Sequence, residues 1–154
     1  FVVVVVVVVG GAAATAPPSA VPLHGGGGQL RQWIHVADFA DALIKAGEAL
    51  VAGHGEGKIW NIAGPDVISV RDVVGLFCDR LGLNLHSHVY DALQRPGQDE
   101  RYAVSGEAMM RDLGWQATRS LTNVREIDQL LEHYGSGQNL PLLAEYVSVP
   151  RRAK

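Results

Sequence analysis

Residues 94–115, QRPGQDERYAVSGEAMMRDLGW, constrain this chain more than any other stretch. Pro96 fixes its own φ and pushes Arg95 into an extended conformation, while Gly97 allows a sharp bend, so a stiff and charged turn is predicted. Arg95 is therefore aimed. A guanidinium held in one direction is suited to bidentate capture of a phosphate or a carboxylate. The second half of the stretch reads as a short helix. Ser105 is a candidate N-cap, Ala108, Met109 and Leu113 can share one face, and Gly114 with Trp115 is a stop signal followed by an aromatic plug.

A chain of 154 residues, 47% hydrophobic and 19% charged, suits one globular domain with a core of its own. The net charge of −3 offers no global basic field, which argues against nucleic acid and acidic membranes as partners and requires any anionic ligand to be held locally. The single Cys78 has no internal disulfide partner and sits in an amphipathic pattern. A buried core thiol in a reducing cytoplasm is expected, not a nucleophile, because no motif pairs it with a base.

Residues 1–9 are one Phe and eight Val, followed by an Ala/Pro/Ser stretch to residue 20. Nine apolar residues are too few to span a bilayer and no basic region precedes them. Residues 1–21 therefore read as a low-complexity, artefactual or fragmentary terminus outside the fold, and residues 138–154 as a mobile basic tail, leaving 22–137 as the folded lobe. Within it, Asp38 is a candidate cap for a helix with Phe39, Leu43, Ala46 and Leu50 on a core stripe. Lys58 to Ile62 (KIWNI) reads as a short strand. Ser69 and Asp72 form a capping box before Val70, Val73, Val74, Phe77 and Leu81 at helical spacing. The alternating run LNLHSHVYDAL predicts a strand with His86 and His88 on one face, but no carboxylate or Cys follows at ligand spacing, so no metal site is expected. A last helix is predicted from about Leu121 to Tyr134. The four glycines 25–28 could form a backbone nest for an anion, but no helix pattern follows them and a flexible hairpin tip is expected. Arg31, Trp33 and His35 fall on one face of the next strand by the two-residue period; a packing role and a solvated-face role stay open for them.

The pattern Arg95, Pro96, Gly97, Asp99, Arg101, Tyr102, Ala103, then Leu113, Gly114 and Trp115, resembles the extended short-chain dehydrogenase/reductases, in particular the NAD-dependent nucleotide-sugar epimerases and dehydratases of the dTDP-glucose 4,6-dehydratase type. The segment from Pro22 through Gln29, Arg31 and Trp33 resembles the same group, and the resemblance covers roughly residues 22–134. It implies a small α/β substrate-binding lobe with three main helices, one short helix and a few short strands, its Rossmann lobe missing. It also implies that Arg95 and Arg31 grip the diphosphate of a nucleotide-diphosphate sugar, that Asn61 and Gln98 add neutral hydrogen bonds, and that His24 and Pro22 flank the base. Asp99 is expected to pair with Arg101. Gln94, Gln98, Gln32 and His24 stand where the dehydratases usually carry Asp, His, Asp and Tyr, which leaves base and sugar open.

In the family, bound NAD oxidises the sugar at C4, water is lost across C5 and C6, and the hydride returns. That chemistry needs a Gly-rich turn opening a helix and a Tyr-x-x-x-Lys pair. Here the residues four after Tyr90, Tyr102, Tyr134 and Tyr146 are Gln94, Gly106, Gln138 and Pro150. No catalytic residue is therefore assigned, and the chain alone is expected neither to bind NAD nor to turn over. NAD, the Rossmann lobe and a homodimer belong to the full-length family by resemblance, and a non-catalytic module is the alternative reading.

Overall fold

In the computed structural model, which describes residues 20–94 and 96–135, the chain crosses twice between two small sheets. The first crossing runs through β1 (Val21–His24), a 3-10 turn (Gly25–Gly27) and β2 (Leu30–Trp33). The second runs through β4 (Val89–Ala92) and β5 (Arg101–Tyr102). Each strand of the second crossing lies parallel to its counterpart in the first, with Val21 opposite Val89 and Leu30 opposite Arg101. The two bends are thus brought side by side. Between the crossings lie α1 (Val36–Val51), β3 (Asp66–Ser69), which pairs antiparallel with β2, α2 (Val70–Leu81) and α3 (Leu85–His88). The chain closes with α4 (Glu107–Leu113) and α5 (Val124–Gly135).

The capping box is found where its spacing predicts it. The Ser69 hydroxyl accepts from the Asp72 amide at 3.0 Å and donates to the Asp72 carboxylate at 2.6 Å, and Gly82, at φ 66°, ends α2 in the left-handed region. On α2, Val74 and Cys78 pack with Leu23 of β1 and the half-buried Val21, Val70, Leu85 and Val89, and Val73 is buried as well. β1 thus begins at Val21. Cys78 is a core residue, and burial, reinforced by Asp79, raises its pKa. Native protein should resist a thiol reagent such as DTNB at pH 8 and react stoichiometrically in 6 M guanidinium; rapid native labelling would remove Cys78 from the core.

Three predicted elements differ. Asp38 does not cap α1: His35 does, its Nδ1 accepting from the Ala37 amide at 3.1 Å, and Asp38 lies inside the first turn with 3% exposure. Residues 58–62 form no ladder; Trp60 donates instead to Asp112 of α4 at 3.0 Å, the largest cause of a lowered Asp112 pKa. Residues 85–88 are one helical turn, because Asn84 caps it by accepting from the His86 amide at 2.9 Å, so His86 and His88 share no strand face. The core stripe expected on α1 is also open: Leu43 and Leu50 are 53% and 60% exposed, Val36, Ile44 and Val51 are exposed too, and the buried side is Asp38 with Ala42.

The short helix ends as its sequence predicts, at Gly114 with φ 62°, and buries Met109. It begins at Glu107, whose amide donates to the Ser105 hydroxyl at 3.2 Å. The last helix starts at Val124, three residues after Leu121, because carboxylates claim the amides of the preceding segment. Asp38 accepts from the amides of Thr118 and Arg119 at 2.9 and 2.8 Å, and Asp66 accepts from the Leu121 amide and the Ser120 hydroxyl at 2.6 and 2.7 Å. Residues 118–121 are therefore fixed without secondary structure.

Candidate functional site

The side-by-side bends collect most of the charged and polar residues singled out in the sequence. In the first bend Gly25, Gly26 and Gly27 all have positive φ, 58°, 70° and 73°, a left-handed turn that residues with a Cβ rarely adopt. Gln29, 8% exposed, closes this bend by donating to the His24 carbonyl at 2.6 Å. The turn leads into a strand, as expected, but it is no free hairpin tip: Arg71 donates from Nε to the Gly26 carbonyl at 2.7 Å and from Nη2 to Asp91 at 2.8 Å.

The second bend is tied to the first at both ends. The His24 imidazole Nδ1 lies 2.9 Å from the Leu93 carbonyl oxygen, and the Leu30 amide donates to the Glu100 carbonyl at 2.8 Å. Arg31, half-buried on β2, donates to the Asp99 carbonyl at 3.0 Å and to the Leu30 carbonyl at 2.7 Å. Asp99 and Arg101 form no ion pair among the described residues, so the loop is shaped by Arg31 acting on the Asp99 backbone instead. Two of the five N–H groups of Arg31 are used in this way. Gln98, in the same bend, has a buried amide oxygen with no partner.

His24, Arg31 and Gln98 are thus gathered on one pair of bends. Of the two roles left open for Trp33, packing is the one found: it is 7% exposed and donates to the Ile68 carbonyl at 3.2 Å, while His35 lies beyond the strand. Pro22 is exposed on β1, opposite Tyr90. Asn61 is exposed and its side chain makes no hydrogen bond among the described residues. Arg95 lies outside the described residues. Gln29 and Arg71 were not legible as site residues, because Gln29 acts on a glycine turn and Arg71 reaches back 45 residues to Gly26. Two clefts lie elsewhere, on either side of Trp115. One, about 470 Å³, is lined by residues including Gln32, Gly64, Pro65 and Met110; the other, about 340 Å³, includes Asp38, Asp41, Lys45 and Thr118. Neither is lined by any of the six predicted binding residues. No cluster of three or more His, Cys, Asp or Glu side chains suited to a metal occurs among the described residues. No helix among them is long and apolar enough to cross a membrane.

The NAD dependent epimerase/dehydratase family matches residues 8–63, a span that holds Pro22, His24, Arg31 and Asn61. The dTDP-glucose 4,6-dehydratase of Streptomyces griseus is 35% identical over 95 residues, 62% of this chain and 27% of that protein; the Escherichia coli enzyme is 33% identical over 103 residues, 63% of this chain and 27% of the enzyme. The chain is similar, over part of its length, to the NAD-dependent epimerases and dehydratases. Among solved structures, the dTDP-glucose 4,6-dehydratase of Streptomyces venezuelae with NAD and TYD bound aligns with a TM-score of 0.63 at 29% identity, covering 75% of this chain and 35% of that one. The chain therefore spans about a quarter to a third of the length of the relatives it matches.

Proposed function

We propose that this chain supplies the nucleotide-diphosphate-sugar-binding part of a nucleotide-sugar dehydratase or epimerase of the dTDP-glucose 4,6-dehydratase type, residues 22–137 forming the lobe. Arg95 and Arg31 hold the diphosphate, Gln98 and Asn61 add neutral hydrogen bonds, and His24 and Pro22 flank the base. The observation that supports this most is the pairing of the two bends, which sets Arg31 on the Asp99 carbonyl and leaves guanidinium N–H groups for an anion. NAD, which such enzymes use for hydride transfer, does not fit the described residues: the glycine turn at Gly25–Gly27 opens a strand, not a helix N-terminus. Cofactor binding and proton transfer on the sugar therefore fall to a Rossmann part carrying the Gly-rich turn and the Tyr-x-x-x-Lys pair.

The test is nucleotide-sugar binding in a protein that carries both this chain and an NAD-binding part. Arg31→Ala or Arg95→Ala should each cost on the order of 1.5–3 kcal/mol of affinity for a thymidine-diphosphate sugar. Titration calorimetry that returns an unchanged dissociation constant for either variant removes that arginine from the site.

A further inference from the structure

We infer that Arg71 is the positioning residue of the paired bends: it fixes the glycine turn against β4, and through the turn the loop that presents Arg31 and Gln98 to a nucleoside diphosphate. The ligand half of this inference rests on the reading given above. Arg71 sits in the first turn of α2, one residue after the residue whose amide donates to the Gln29 carbonyl at 3.3 Å. Its guanidinium then divides between two acceptors on different segments, Gly26 in the first bend and Asp91 on β4, two residues before Leu93. Its stem is packed as well: a Cβ on Gly27 would stand 3.2 Å from the Cβ and the backbone nitrogen of Arg71, and 3.2 Å from Leu23. One side chain thus joins a helix start, the left-handed turn and the strand that feeds the second bend.

Magnitudes decide which of its contacts matters. The pair with Asp91 is solvent-exposed, with side chains 33% and 69% accessible, and such pairs contribute little. The bond to Gly26 is different. Three successive glycines have the largest backbone freedom of any tripeptide, so a turn of this kind keeps one shape only if held from outside. Gln29 holds its two ends together, and Arg71 supplies the bond to its middle. The turn in turn abuts the second bend, since a Cβ on Gly25 would stand 3.3 Å from the Gln94 side chain. Releasing Gly26 therefore loosens residues on both sides of the contact.

The experiment uses the 154-residue chain. By amide hydrogen exchange, Arg71→Ala should raise exchange at residues 24–29 and 93–100 by roughly ten-fold or more and leave α1 and α5 unchanged. Arg71→Lys keeps the charge but cannot bridge both acceptors, so it should recover part of this protection. By NMR titration, Arg71→Ala should weaken thymidine 5′-diphosphate on the order of ten-fold while leaving thymidine unaffected. Gly26→Ala, whose added Cβ meets nothing within 4 Å but whose φ of 70° disfavours any residue with a Cβ, strains the turn without contacting Arg71 and should reproduce that selective loss. Unchanged exchange at both bends, or an equal rise throughout the chain, overturns the inference. So does a Gly26→Ala protein with full diphosphate affinity, which would mean that the shape of the turn does not govern diphosphate binding. A wild-type chain that binds no diphosphate overturns the ligand half of this inference, the functional reading being decided by the two-part protein above, while the exchange contrast still decides whether Arg71 holds the bends.

Discussion

Replacing Asp38 by alanine is expected to destabilise the protein by about 2–4 kcal/mol, read from the urea midpoint at pH 7. The carboxylate is 3% exposed and gathers the amides of Thr118 and Arg119, the Thr118 hydroxyl at 3.4 Å and the Arg119 guanidinium. The guanidinium is 37% exposed and has a second acceptor in Asp41, so the ion pair is the weaker part. The two amides have no second acceptor among the described residues, so without Asp38 they lose the bonds that hold the segment. Arg119→Ala should accordingly cost under about 1 kcal/mol, and a cost equal to that of Asp38→Ala would show that the ion pair, not the amides, fixes the segment.

The same carboxylate carries a pH signature. Burial pushes its pKa up, but the Arg119 and Thr118 amides and the guanidinium outweigh burial, and the net shift is downward. A folded-state pKa below the unfolded one means that the contribution is complete above the unfolded value, about 3.9, and is lost as pH falls through the folded value. The stability gap between wild type and Asp38→Asn should be flat from about pH 5 to 8 and close below about pH 4. A gap that widens in acid would contradict the downward shift.

What was legible in the sequence depended on how far apart the interacting partners lie. The α2 cap needs only Ser69 and Asp72, and the α4 stop needs only Gly114, so both were readable from local chemistry. Asp38 was misread as a cap because its partners lie 80 and 81 residues away, and the late start of α5 follows from the same cause at Asp66. KIWNI has the residue types of a strand and no strand neighbour among the described residues, while LNLHSH alternates like a strand but is captured by the Asn84 cap. Periodicity on α1 placed Phe39, Leu43, Ala46 and Leu50 toward the core, but a repeat alone does not say what covers a helix face: among the described residues Leu43 and Leu50 are exposed and Asp38 with Ala42 form the buried side. The resemblance located Arg31, His24 and Gln98 one by one; the parallel register that gathers them needs β1 to find β4 and β2 to find β5 across about 70 residues.

A second large loss is expected from Gly64→Ala, at least about 3 kcal/mol in the same urea assay. A Cβ at this position would lie 1.7 Å from the Trp33 carbonyl oxygen, 2.4 Å from its carbon and 2.9 Å from the Ile34 nitrogen. All three are backbone atoms, so no side chain can swing aside. Gly64 is not among the positive-φ glycines, which makes the obstacle one of space and not of conformation. Relief would require moving the junction between β2 and α1, where Trp33 pairs with Asp66 and Gln32 donates to the Gly64 carbonyl at 2.8 Å. Gly28→Ala is the matched control: its φ is −73° and nothing lies within 4 Å of an added Cβ. It should be neutral or stabilising by up to about 1 kcal/mol, through a less free unfolded chain. A Gly64→Ala protein within about 1 kcal/mol of wild type would mean that the backbones of residues 33 and 64 do not approach as closely as the fold requires.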